Sequence, residues 1–239
     1  MKEQLKSEYL KFIMNPWHWV IIGALLLCVP GMVIFLNSKP DQLTQHFVLE
    51  QLLQSLYLGQ AGFISLAVLF IGQEFRGSSL RTSFLTCPNR LKFIICKLAI
   101  VLCVEIVLLV AVLSLCILIA QGYYKINLLS NIKNVLTILF PACISILTFS
   151  LLSGVFVFIF RSFTLILGIS LSLLLGLGQL LLQFSSLFRN IPLLASMNCF
   201  YIHPLSFYYP VWQGLGIQII WLLIAFVFAT LILTGRNVR

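Results

Sequence analysis

Six stretches of this chain, near residues 17–36, 56–72, 93–120, 135–160, 163–184 and 213–234, are apolar and almost free of charge. Roughly 20 residues of helix cross the ~30 Å of hydrocarbon in a bilayer, and each stretch approaches or exceeds that length. In such a solvent every backbone amide must be satisfied internally, which leaves helices or closed barrels. The runs are continuous rather than alternating, so helices are expected. Composition agrees, with 61% of the 239 residues hydrophobic and 9% charged, against roughly 25% charged in a soluble domain. Disorder is excluded by the same hydrophobicity. Six spans leave short connections and no space for a soluble domain of ordinary size.

The 15 Lys and Arg residues fall unevenly between the runs. Lys2, Lys6, Lys11, Arg76, Arg81, Arg90, Lys92, Lys97, Arg161, Arg236 and Arg239 flank one side. Only Lys39, Lys125, Lys133 and Arg189 flank the other. The positive-inside rule therefore places both termini and the 73–92 loop in the cytoplasm. Orientation and anionic lipid account for the net charge of +9 better than nucleic acid does. The first run follows three lysines, but it is too long for a signal-peptide core and no A-x-A site follows it, so a retained anchor is expected. Arg161-Ser162 alone interrupts residues 135–184, and a tight hairpin is expected there because an arginine at mid-membrane is costly.

Two segments are expected to lie along the membrane. In residues 1–16, Leu5, Tyr9, Phe12, Ile13 and Pro16 share one helical face and Lys2, Lys6 and Lys11 the other, which suits an interfacial amphipathic helix. Residues 185–212 carry Phe188, Phe200, Tyr201, Phe207, Tyr208, Tyr209 and Trp212, three prolines and Arg189. A re-entrant or interfacial hairpin capping the outer side fits that composition. The seven cysteines show no CxxC and no metal spacing. Cys28, Cys96, Cys103, Cys116 and Cys143 fall in expected spans as small apolar groups. Cys199 is the one expected to face outward. No metal site is expected.

One polar stretch, QEFRGSSLRTSFLTCPNR at 73–90, stands apart from its surroundings. A short helix over 74–86 ending at Pro88 is expected, with Asn89 as N-cap of the third span. Arg90 and Lys92 then occupy a first turn whose dipole disfavours cations by about 0.3–1 kcal/mol each. A negative partner, lipid headgroup or protein, is expected to compensate. Lipid is sufficient for Lys92 and Lys97, but it does not account for Glu74 or Gly77.

Glu74, Gly77-Ser78, Leu80-Arg81, Leu85-Thr86, Pro88-Asn89-Arg90 and Lys97 resemble the loop between helices two and three of type-2 ATP-binding-cassette permeases, small six-helix subunits of bacterial exporters. The family pattern is loosely E-x-x-x-G-T-x-x-x-L-x-x-P-[ST]-R followed by a lysine. Here the Glu-to-Gly spacing is one shorter, Ser78 replaces threonine and Asn89 replaces Ser or Thr. The resemblance implies a dimeric permease in the bacterial plasma membrane, with a second copy or homologue as partner. It also implies that Glu74, Arg76, Gly77, Arg81 and Arg90 contact a separate cytoplasmic ATPase, which would bind the ATP and magnesium. The cargoes it implies are amphipathic peptides, drugs and glycolipids, and a chain this small with no large outer domain favours among them a hydrophobic or cationic peptide or antibiotic, exported for self-immunity or resistance.

No G-x-x-x-x-G-K-[ST], G-x-S-x-G or H-E-x-x-H occurs, so catalysis by this chain is not expected and no cofactor is assigned to it. Glu105 is the one acid inside an apolar run, and intramembrane ionisable groups are candidates for function. It can meet a cationic substrate, or sit protonated or locally hydrogen-bonded between packed helices. Lys97 lies two turns away, beyond direct contact. Gln179 and Gln183, one turn apart, are candidates for the substrate path or for interhelical bonding. Gly168, Gly176 and Gly178 on the same run favour close packing. Two other classes remain open: a non-transporting membrane scaffold or sensor, and an ion-coupled transporter using Glu105.

Overall fold

A computed structural model describes residues 2–35, 45–75, 90–122 and 132–235. They form α1 (Lys2–Met14), α2 (Pro16–Phe35), α3 (Gln45–Gly72) with a 3₁₀ turn at Gln73–Phe75, α4 (Arg90–Gly122) and α5 (Ile132–Phe160). Then follow α6 (Phe163–Phe184), short α7 (Pro192–Ala195) and α8 (Val211–Gly235). There is no strand among the described residues. The helices α2, α3, α4, α5, α6 and α8 are long and apolar enough to cross a membrane.

Buried surface is distributed unevenly among them. In its most apolar window α3 is 67% buried and α5 56%, while α2, α6 and α8 reach only 28%, 22% and 22%. The first two form the centre and the last three turn most of their apolar side chains outward. A soluble protein rarely exposes a contiguous apolar patch beyond a few hundred Å², so this periphery is built for lipid.

Residue 56, where the uncharged run begins, is not where α3 starts. The helix extends back to Gln45. Val48, Leu49, Leu52, Leu53 and Leu56 recur at helical spacing and are buried, while Glu50, Gln51 and Gln54 between them lower the local hydropathy. The break between α1 and α2 is set by Asn15. Its side-chain oxygen accepts from the Trp17 amide at 3.1 Å, with Pro16 in the first helical position where its missing N–H costs nothing.

Arg161 and Ser162 interrupt the α5–α6 stretch as expected. Arg161 adopts φ 55°, and the Ser162 hydroxyl caps α6 by accepting from the Leu165 amide. Within α6 a wide π turn spans Leu173–Leu177, with Gly176 at φ 128°, a conformation open chiefly to glycine. The Tyr57 hydroxyl donates to the Leu174 carbonyl in that turn at 2.8 Å. Of the three glycines on this run, Gly178 packs closely within the chain, against Leu194. A Cβ at Gly168 or Gly176 would meet nothing within 4 Å.

The connection from α6 to α8 divides into two halves. Residues 192–200 are buried and 203–207 exposed. Asn198 joins the halves, donating to the Leu205 and Tyr209 carbonyls at 3.1 and 2.9 Å and accepting from the Leu205 amide at 2.9 Å. The Ser145 hydroxyl on α5 donates to Ser196 at 2.9 Å, and the Gln218 amide on α8 donates to the Ser145 carbonyl at 3.1 Å. Cys199 lies in the buried half, 3% exposed, and burial pushes its thiol up to about 12. The aromatic composition of the segment concealed this division, since the buried half is the one richer in small and aliphatic residues.

Candidate functional site

Lys97 lies in the second turn of α4 with its side chain fully buried. A lone cation there would carry a desolvation cost of several kcal/mol. Two acids from distant parts of the chain compensate it. The Lys97 ammonium donates to Glu8 Oε2 at 2.6 Å and lies 3.0 Å from Glu74 Oε1. Lys11 closes the square, 2.7 Å from Glu8 Oε1 and 3.1 Å from Glu74 Oε1. The Phe70 and Phe93 rings lie 4.4 and 5.5 Å from the Lys97 nitrogen and add a cation–π contribution. Two positive and two negative groups thus make a neutral unit.

The geometry explains why α1 folds back onto the bundle. Leu5, Glu8 and Phe12 share one helical stripe; Glu8 and Phe12 are buried and Leu5 packs against the core. Tyr9 and Ile13, expected to share one face with Leu5 and Phe12, are 52% and 36% exposed, and Pro16 belongs to α2. The face α1 turns to the bundle is thus the one that carries Glu8 to Lys97. Below the cluster, His18 Nδ1 meets the Phe12 carbonyl at 2.8 Å and its ring stacks on Phe12, centroids 4.4 Å apart. The Asn15 amide donates to Gln73 Oε1 at 2.9 Å. Burial alone would lower the Lys11 ammonium, but the Glu8 and Glu74 carboxylates outweigh it and hold the group above its ordinary value.

Of the residues expected to meet an ATPase, Glu74 is buried and turned into the bundle, its carboxylate held by Lys11 and Lys97. Arg90 donates to the Leu233 carbonyl. The first-turn cation of α4 is therefore answered by the negative end of α8, a partner other than the lipid or second protein expected. Arg76, Gly77 and Arg81, with the short helix over 74–86 and Asn89, lie outside the described residues. Lys97, for which lipid was taken as sufficient, is paired internally.

The expected substrate-path residues do not converge. Glu105 is fully buried beside Ser150 and makes no contact with Lys97, whereas Gln179 and Gln183 are exposed on α6. No group of three or more His, Cys, Asp or Glu that could hold a metal occurs among the described residues. Glu8 and the buried state of Lys97 and His18 escaped sequence reasoning. The available signal was a lysine inside an apolar run in a chain with only 6 acids, since intramembrane charges pair.

What this arrangement can do is mechanical. It ties α1, the end of α3 and the start of α4 together at the point where the chain enters the 76–89 segment. Comparison with protein-family models, curated proteins and solved structures finds no match.

Proposed function

We propose that this chain is the membrane-spanning permease subunit of an exporter driven by a separate ATPase. The observation that carries this reading is the neutral four-charge cluster that holds the residues flanking the polar segment 76–89 in sequence, Glu74 before it and Lys97 after it. Glu74 is the last acid before that segment and Lys97 lies shortly after it, and both are clamped to α1. A push on the segment from the aqueous side is thereby delivered to three helices at once. The six apolar helices and the peripheral apolar surface supply the membrane body. The absence of a phosphate-binding motif from the sequence assigns nucleotide hydrolysis to a partner. The working unit in this reading is a pair of permease subunits with two ATPases, and the cargo a hydrophobic or cationic peptide.

Purification from native membranes in gentle detergent tests the reading. A Walker-motif ATPase should accompany the chain in near-equal amount and be lost from Arg81→Glu, a residue of the polar segment. If no nucleotide-binding protein accompanies the wild-type chain, or Arg81→Glu retains both partner and transport, the exporter reading fails.

A further inference from the structure

Glu105 sits roughly 22 Å along α4 from Arg90 at 1.5 Å per residue, fully buried. Unlike Glu8 and Glu74, it has no cation beside it among the described residues. Among the described residues its hydrogen-bond partner is Ser150, through Oε1, while Oε2 has none.

Ser150 differs from the span hydroxyls that bond back into their own helix. Ser65, Thr148 and Ser153 each donate to the carbonyl four residues earlier in their own helix, at 2.7, 2.8 and 3.0 Å. Ser150 reaches out of α5 instead. Its oxygen lies 3.1 Å from the Phe63 carbonyl on α3 and in contact with Glu105 Oε1 on α4.

Counting hydrogens decides the state of this triad. A serine hydroxyl brings one hydrogen, and a backbone carbonyl can only accept. With Glu105 ionised, Ser150 would face two pure acceptors with one hydrogen between them, and an anion would lie buried with no counter-charge. With a proton on Oε1, both contacts become hydrogen bonds. Glu105 donates to Ser150, and Ser150 donates to the Phe63 carbonyl. Oε2 is then a neutral carbonyl oxygen, for which lacking a partner costs less than it would for a charged one.

We propose that Glu105 is a resident proton site, holding its proton on Oε1 and donating it into a relay that joins α4, α5 and α3. The ligand of the site is a proton, retained in the resting protein. A carboxyl engaged in this way offers no charge to a cationic cargo, and the proposal stands whether or not the chain is an exporter.

Infrared difference spectroscopy of the full chain in detergent at neutral pH, wild type against Glu105→Gln, tests it. The wild type should show the carbonyl stretch of a protonated carboxyl, and Glu105→Gln should lack it. Loss of a carboxylate band instead, with no change in the protonated-acid region, overturns the proposal. If Glu105→Gln fails to fold, Ser150→Ala gives the second comparison. Removing the acceptor of the Glu105 proton should shift the protonated-acid band to higher wavenumber, and an unmoved band overturns the relay.

Discussion

Replacing Lys97 by methionine keeps much of the side-chain volume and removes the charge, leaving Glu8 and Glu74 to share Lys11. Removing one partner from a buried ion pair costs about 3–5 kcal/mol, because the remaining charge stays desolvated. Lys97→Met should therefore lower the thermal midpoint in detergent clearly. The double variant with Glu8→Gln should lose less than the sum of the two single changes, since contacting charges couple. A midpoint equal to wild type would show that the cluster does not hold the bundle. Lys11 acts at the solvent edge, its side chain 40% exposed, and its effect is visible through pH. Its folded value lies above the ordinary 10.5, so the ammonium is favoured by folding. That contribution is complete below pH 10.5 and disappears as pH rises through the folded value. The midpoint difference between wild type and Lys11→Met should hold constant through neutral pH and shrink once pH passes 10.5. A difference that grows there would contradict the sign.

At the scale of elements, α8 comes close to the backbone of α7 at Gly214. A Cβ on Gly214 would lie 2.0 Å from the Ala195 carbonyl oxygen, a backbone atom with no rotamer to move. Gly214→Ala should destabilise by about 1–3 kcal/mol, as overpacking does, and should expose Cys199 to maleimide well before global unfolding. Protection of Cys199 unchanged from wild type would mean that the buried half of the connection holds without this contact. Much of this level was legible beforehand. Each spanning helix follows from a run of apolar residues, a property of neighbours in the chain, and the Arg161-Ser162 break follows from the one charge in its run. The early start of α3 was hidden because its buried leucines alternate with Glu50, Gln51 and Gln54, which a hydropathy window averages away. The charge square was hidden for a different reason. Glu8 and Lys97 stand 89 residues apart, and no local spacing reveals such a pairing. The same limit applies to Gln179 and Gln183, whose helical register aligned them but whose outward direction is set by how α6 packs.

At the scale of the whole molecule, six crossings, one by each apolar helix, would put residues 1 and 239 on one side of a bilayer. The structure's own ties agree, since Arg90 at the start of α4 meets Leu233 near the end of α8 and Asn15 meets Gln73. Short epitope tags at residue 1 and residue 239 should be digested by protease from the same face of sealed vesicles and protected together from the other. Opposite protection of the two tags would remove one of the six spans. The charge square also bears on how the protein is made. Synthesis runs from the N-terminus, so Glu8 and Glu74 are both in the chain before Lys97 is added, and Glu8, 89 residues ahead, is the first of them to leave the ribosome. A lysine that pairs with these acids as α4 is inserted would spare that helix from crossing as the carrier of a lone cation. A chain begun at residue 16 would lose half of that reception, and the place to look for its failure is the insertion machinery rather than the folded protein.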